Sequence, residues 1–430
     1  MNALDLETIV SHGLCAGCGL CASLAGRDRL EMQLTSYGQI RPQVREKIDP
    51  ETLEKIRSIC PGIRVTGADA SQVASAGTMH PVWGPIRSLH RGWATDEAVR
   101  FRSAAGGSMT ALGVFLLESG KVDAILHVRA SREKPMLTDA QVSTTAEEVK
   151  SGARSRYGPA APLVHVHRLL DEGVRFAVLG KPCDVAAIRN LSQIDPRVEE
   201  QIPYCLTIFC GGVPTLQTAH KIVAHHGVDP SEVEEFRWRG HGWPGPTHIR
   251  ARDGRSYDLT YDQAWFDPSR PWSYDIQFRC KICPDAIYDI QFRCKICPDA
   301  IGELADVSCP DGWVMRDGEP IHEEAPGVNV LVARTERGER LVTEAAAAGA
   351  IGLAPFEISE FDAMHGDHLP RKLGNPARMA ALKIAGAPAP RFEGFRAWRM
   401  IWRAGFGRSF RTFLGTMRRV RAGAHREPLH

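Results

Sequence analysis

The sequence has no apolar stretch approaching the roughly 18 residues that a membrane-spanning helix needs. Its longest, near Met109 to Leu117, is broken by Thr110 and Gly113. The opening Met1-Asn2-Ala3-Leu4-Asp5-Leu6-Glu7 lacks a basic segment leading into an apolar one, so a soluble, cytoplasmic chain is expected. Net charge is nearly missing as well. The 53 Lys and Arg residues against 51 Asp and Glu leave +2, which makes no global case for nucleic acid as a partner. Compositional bias is also lacking: 43% hydrophobic and 24% charged residues exclude disorder and collagen-like repetition. No Gly-x-Gly-x-x-Gly follows a strand pattern, and Gly180-Lys181 runs into Pro182 where a phosphate loop needs Ser or Thr. Standard Rossmann and Walker nucleotide sites are therefore unsupported.

What the chain does have is cysteine. Its 430 residues suggest about three structural units, and 12 cysteines in a cytosolic chain are not expected to form a disulfide framework. Cys15, Cys18 and Cys21 stand in C-A-G-C-G-L-C, and Cys60 follows as Cys60-Pro61. Small intervening residues let a backbone curl around one cubane, and a distant Cys-Pro closes the fourth corner. Zinc sites usually use paired C-x-x-C or mixed Cys and His ligands, so this spacing favours iron and sulfide. The expectation is one 4Fe-4S cluster on Cys15, Cys18, Cys21 and Cys60.

A second set is spread through the middle of the chain. Phe176 to Leu179 reads as a strand ending in Gly180-Lys181-Pro182-Cys183, followed by a helix from about Val185 to Leu191. Tyr204 to Phe209 reads as a strand ending in Cys210. The third contributor lies in a perfect duplication, where Tyr274 to Ile287, YDIQFRCKICPDAI, recurs as Tyr288 to Ile301. Cys280/Cys283 and Cys294/Cys297 thus compete for one pair of ligand positions. The second copy is preferred because it keeps its spacing to the downstream segment. Cys183, Cys210, Cys294 and Cys297 then form a second four-thiolate set, with Cys205 and Cys309 read as core.

Between the two sets, Arg102-Ser103-Ala104-Ala105-Gly106-Gly107-Ser108-Met109-Thr110 is a small-residue loop opening an apolar helix that ends near Gly120. Such a loop suits a phosphate or pyrophosphate, although a tight turn without ligand has the same pattern. A strand is expected at Val122 to Val128. Arg154-Ser155-Arg156-Tyr157 sets two guanidiniums beside an aromatic ring. Lys181 and Arg156 are candidates for anionic cofactor or substrate groups. No proton donor can be named, since His127, His165 and His167 read equally well as ordinary histidines. After Gly386-Ala387-Pro388-Ala389-Pro390, the residues from Arg391 onward contain ten Arg and two Glu. Aromatic residues recur there every three or four positions, a basic amphipathic pattern weakened by glycines. It reads as a helix docked on the body, with a membrane-surface helix or a dock for a ferredoxin or partner subunit as rivals.

Taken in order, C-A-G-C-G-L-C, R-F-R-S-A-A-G-G, R-S-R-Y-G-P, G-K-P-C-D, F-C-G-G-V-P and R-C-K-I-C-P-D with G-E-L-A-D resemble the coenzyme F420 hydrogenase/dehydrogenase beta-subunit family. These are iron–sulfur flavoproteins that include 7-hydroxymethyl chlorophyll a reductase and a ferredoxin-dependent divinyl chlorophyllide vinyl reductase. The resemblance runs from about Cys15 to Trp313 and implies FAD with a cluster near it, which with the two thiol sets makes two 4Fe-4S clusters and FAD the expected cofactors. It places the flavin partly on Ser103, Gly106, Gly107, Ser108 and Thr110, and partly on Arg154, Arg156 and Tyr157. Departures are the doubled segment and Ala105, where such loops often carry Ser.

The expected fold is a mixed α/β (α+β) flavin-binding core with an N-terminal ferredoxin-like segment and a C-terminal basic helical tail. The expected units are 1–78 for the iron–sulfur segment, 79–165 and 166–328 for the two parts of the core, and 329–430 for a helical extension. The expected function is electron transfer between clusters and FAD, with hydride passing to or from coenzyme F420 or a related conjugated substrate. The alternatives are a ferredoxin-dependent reductase of a chlorophyll-like or other organic substrate, and a non-redox, zinc-stabilised scaffold. Expected partners are a ferredoxin or redox subunit and a small-molecule substrate.

Overall fold

The computed structural model describes residues 5–68, 77–267, 269–270, 272, 292–366 and 368–427. Eight strands form the central sheet: Ser88–Ala94 (β1), Ala124–Ala130 (β2), Thr138–Ser143 (β3), Phe176–Gly180 (β4), Tyr204–Thr207 (β5), Val307–Ser308 (β6), Asn329–Ala333 (β7) and Ile351–Pro355 (β8). Their order across the sheet is β8-β1-β7-β6-β5-β4-β2-β3. The middle run from β2 through β4 and β5 to β6 is parallel, and both flanks pair antiparallel. A parallel strand is covered on both faces, which is why Phe176-Ala177-Val178-Leu179 is continuously apolar rather than alternating.

The two-residue period of the strands sorts what packs on each face. Ala124, Leu126, Phe176 and Val178 meet Val185 and Ile188 of the Pro182–Leu191 helix, together with Cys18, Leu20 and Ile59 of the N-terminal segment. Ile125, Ala177, Leu179 and Leu331 face the other way. They pack under Leu112 and Leu116 of the Ser108–Glu118 helix and Leu341 and Val342 of the Glu336–Ala347 helix. The cysteine-rich N-terminus therefore docks on the same face as the helix that carries Cys183. At about 1.5–3 kcal/mol for each fully buried aliphatic side chain, this docking is part of the core. A smaller three-stranded antiparallel sheet, Val233–Arg237, Thr247–Ala251 and Ser256–Leu259, packs with the Leu216–His225 helix around Phe236 and Trp238.

Several boundaries differ from the sequence reading. The strand expected from Val122 begins at Ala124, and the helix expected from Val185, Pro182–Leu191, starts three residues early. Pro182 supplies a preset first turn, and Asp184 Oδ2 accepts from the Lys181 amide at 2.8 Å to cap it. The helix expected from Arg340 starts at Glu336, because Thr335 Oγ1 accepts from the Gly338 amide at 3.0 Å. The chain after residue 328, read as a helical extension, places β7 and β8 in the central sheet. Asn329 to Ala333 is only five residues long, too short to declare a period, yet all five are buried. The tail is not one helix either. Arg391–Glu393 pairs in parallel with Arg64–Thr66, and Gly405, at φ +78°, divides Ala397–Ala404 from Phe406–Arg421. Among the described residues no helix is long and apolar enough to cross a membrane.

Candidate functional site

The N-terminal thiols are gathered by a backbone curl between the Leu6–Ser11 and Leu20–Ala25 helices. Gly19 there sits at φ +84°, and a Cβ on it would lie 2.6 Å from Val164 Cγ1, so only glycine fits. Cys60 arrives from the end of the Pro50–Ile59 helix. As thiolates, Cys15, Cys18, Cys21 and Cys60 would repel one another across a shared space. The Gly17 amide donates to Cys15 Sγ at 3.4 Å. The amides of Leu20, Ala22, Gly62 and Ile63 face the sulfurs of Cys18, Cys21 and Cys60. Such converging N–H groups stabilise negative sulfur. Burial pushes the Cys18 and Cys21 thiols up, and Cys60 to about 12, so loading iron here must release protons.

The second set comes from the carboxyl ends of adjacent parallel strands. Cys183 and Cys210 each follow their strand by three residues, β4 and β5, which are registered at Gly180 and Thr207. Cys183 feels Cys210 and Cys297, and Cys210 feels Cys294 and Cys297. The Cys210 amide donates to Ala300 O at 2.8 Å, which fastens the second copy of the duplicated segment beside it. Cys280 and Cys283 of the first copy lie outside the described residues. Cys205 and Cys309 are buried core residues, 0% and 1% exposed. Among the described residues, no group of three or more His, Cys, Asp or Glu is arranged to hold a single metal ion.

Three charged side chains face thiols of both sets. Arg293 faces Cys15 and Cys60 on one side and Cys297 on the other. Arg41 faces Cys15 and Cys294, and Asp184 faces Cys18 and Cys183. Arg293 is 2% exposed, and its Nη2 donates to Pro61 O at 3.0 Å. Its Nε and Nη1 have no hydrogen-bond partner among the described residues. A buried cation with two idle donors fits an anionic guest on either side.

On the opposite face of the sheet, the Ser103–Gly107 loop leads into the Ser108–Glu118 helix. A Cβ on Gly106 would sit 2.6 Å from Gly92 O. Gly107 is at φ +73°, and its Cβ would lie 3.1 Å from Ser103 Oγ. Ser103 and Ser108 are buried, and neither hydroxyl has a partner among the described residues. Two idle hydroxyls at a helix N-terminus fit a phosphate-bearing cofactor. If this loop holds the flavin that the resemblance implies, Gly107→Ala will lower flavin content about tenfold or more, since a left-handed alanine costs about 1–2 kcal/mol and crowds Ser103. Iron content should be unchanged, which metal analysis beside the flavin spectrum will check.

The remaining predicted residues are placed differently from the reading. Arg156 is half-buried and engaged largely with backbone. Its guanidinium donates to Pro135 O, Leu137 O, Phe236 O and Thr138 Oγ1 at 2.8 to 3.3 Å, because the chain ends it joins would otherwise leave buried carbonyls unpaired. Arg154 pairs with Glu235 at 3.1 Å. Lys181 belongs with the second thiol set, where its Nζ meets Asp184 at 2.8 Å beside Cys183 and Cys210. Thr110 lies in the first turn of the helix, half-buried. His127 is buried against Ser143 Oγ at 2.8 Å, and burial lowers its pKa to about 4.

The sequence reading missed Arg239 and Asn329. Arg239, 1% exposed, donates to Ala104 O at 2.6 Å, Pro244 O at 3.0 Å, Tyr157 Oη at 3.0 Å and Asp311 at 2.8 Å. Trp243, Tyr261 and Trp313 surround it at 5.0 to 5.8 Å. Asn329 Oδ1 accepts from the Ser108 amide at 3.2 Å. The run R-G-H-G-W-P-G from Arg239, with Gly240, Gly242 and Gly245 all at positive φ, is the signal that could have exposed the first.

Residues 89–168 match the family model for the N-terminal region of the coenzyme F420 hydrogenase/dehydrogenase beta subunit, and residues 173–358 match the model for its C-terminal region. The coenzyme F420-dependent sulfite reductase of Methanocaldococcus jannaschii is 23% identical over 357 residues, which cover 79% of this chain and 47% of that one. The F420-dependent formate dehydrogenase subunit beta of the same organism is 27% identical over 141 residues, 33% of this chain and 37% of its own. The chain thus spans less than half the length of these curated relatives. A chain of the F420-reducing [NiFe] hydrogenase complex from Methanosarcina barkeri shares the fold, with a TM-score of 0.55 at 20% identity, covering 73% of this chain and 98% of that one. With two consecutive family models spanning its whole central sheet, this chain belongs to the coenzyme F420 hydrogenase/dehydrogenase beta-subunit family of oxidoreductases.

Proposed function

We propose that this chain is an iron–sulfur flavoprotein that passes electrons between two 4Fe-4S clusters and FAD, with hydride exchanged with coenzyme F420 or a related conjugated substrate. The observation that carries the reading is the pair of thiol quartets, with Arg293, Arg41 and Asp184 facing thiols of both. When bound, clusters carry single electrons and a flavin converts them to two-electron chemistry.

The chain's own residues divide the work. Cys15, Cys18, Cys21 and Cys60 hold one cluster, and Cys183, Cys210, Cys294 and Cys297 the other. Arg293 places positive charge beside both quartets, which favours the reduced state of both, whereas the charge of Arg41 is balanced by Glu427. Ser103, Ser108 and the helix N-terminus receive the cofactor's phosphates. Arg239 positions that loop through Ala104 O. The named relatives are an F420-dependent reductase and an F420-dependent dehydrogenase subunit, which supports F420 as the substrate, and the subunit and the hydrogenase complex support a redox subunit as the electron partner.

Anaerobic purification tests the reading. A brown protein with flavin absorbance and about eight irons is expected, and reduced F420 should bleach the flavin band. Colourless protein containing zinc would overturn the cofactor assignment. Loaded protein that ignores F420 but is reduced by a ferredoxin and turns over another conjugated substrate would overturn the substrate assignment alone.

A further inference from the structure

Exposed apolar side chains concentrate on the last two helices, outside the site. Of twelve large hydrophobic residues exposed among those described, five fall between Trp398 and Leu414. Trp398, Trp402 and Phe406 are 72%, 78% and 82% exposed, and Phe410 and Leu414 follow at 52% and 49%. Trp398 and Trp402 are one turn apart on Ala397–Ala404. Phe406, Phe410 and Leu414 form the next stripe at four-residue spacing. The inner faces are already used: Met400, Met417 and Val420 are buried, and both helices pack on His368–Ile384. A helix docked only for stability turns polar side chains outward, so the outer stripe needs another cause.

This face is not a loose end. Arg391–Glu393 pairs with Arg64–Thr66 ahead of it, and Glu427 behind it forms a buried pair with Arg41 at 2.7 Å. Residues 394–426 contain nine Arg and no Asp, Glu or Lys. Arg399, Arg408, Arg411, Arg418 and Arg421 are exposed around the stripe, whereas Arg396 and Arg403 pair with Glu303 and Asp362. The segment also lies beyond the family-matched residues, which end at 358.

We propose that this face seats the protein on an anionic lipid surface, its aromatic side chains in the headgroup layer and its arginines on lipid phosphates. Strong amphipathicity with Trp and Phe on one side and only Arg as charge is the composition of an interfacial helix. Three successive protruding aromatics would each need a matching pocket in a rigid partner, whereas a fluid headgroup layer fills in around them.

Flotation of the full chain with lipid vesicles tests this. Recovery with equimolar phosphatidylglycerol and phosphatidylcholine should exceed recovery with phosphatidylcholine alone by about tenfold or more and fall with added salt. The triple variant W398A/W402A/F406A and the charge variant R411Q/R418Q should each lose about tenfold of that binding, with unchanged circular dichroism. A chain that stays soluble with both vesicles, or variants that float as well as the parent, would overturn the proposal. Saturable capture by an acidic protein partner with no lipid binding would overturn it too.

Discussion

Cys18→Ala is expected to remove about four of about eight irons while leaving flavin absorbance intact, and Cys210→Ala to remove the other four. Each quartet draws on separate elements, the N-terminal curl with Cys60 for one, and the ends of β4 and β5 with the duplicated segment for the other. Among the described residues, the charged side chains of Arg293, Arg41 and Asp184 face thiols of both sets. Loss of one cluster should therefore leave the neighbouring cage standing. Metal analysis and the visible spectrum of the two variants decide the matter. If either substitution alone strips all iron together with the flavin, the sites are not separate. A third variant tests the duplication, because Cys294→Ala should reproduce Cys210→Ala unless the first copy can take its place.

Arg239→Met is expected to destabilise the fold by about 3 kcal/mol and to abolish flavin retention. Breaking a buried pair by removing one partner costs about 3–5 kcal/mol, and the lower end applies because the Asp311 side chain is 30% exposed. Ala104 O and Pro244 O lose their donor as well, so the loop before Gly107 is no longer held. Arg239→Lys keeps the charge but cannot serve four acceptors with one ammonium, and should recover stability only in part. Thermal unfolding of both variants, read beside flavin content, separates a role in the loop from a role in the core. Arg239→Met with normal stability and full flavin would remove the clamp from the account.

The legible part of the site was the part written in spacing. Cys15, Cys18 and Cys21 are neighbours along the chain, and the apolar run before Lys181 announces a covered parallel strand, so the gathering of these thiols and the strand end could both be read directly. A guanidinium beside an aromatic ring has the same letters whether it meets a phosphate or, as Arg156 does, three backbone carbonyls. Arg239 escaped because its importance lies in what surrounds it: Ala104, Tyr157, Asp311 and three aromatic rings brought from separate segments. The tail divided along the same line. Its period marked the helices, but nothing in it said that the Trp398 stripe would face outward while Met400 and Val420 turned in.

By itself the sequence determined which residues could cage iron, which loop could meet a phosphate, and that a parallel strand lay between them, because those properties depend on local spacing and apolar continuity. The tertiary structure alone decided that the two thiol sets share one face of the sheet and the phosphate loop lies on the other, and that residues 329–333 complete the sheet. Strand pairing and the alternation of side chains across a sheet act between segments far apart in the chain, and no local pattern encodes them.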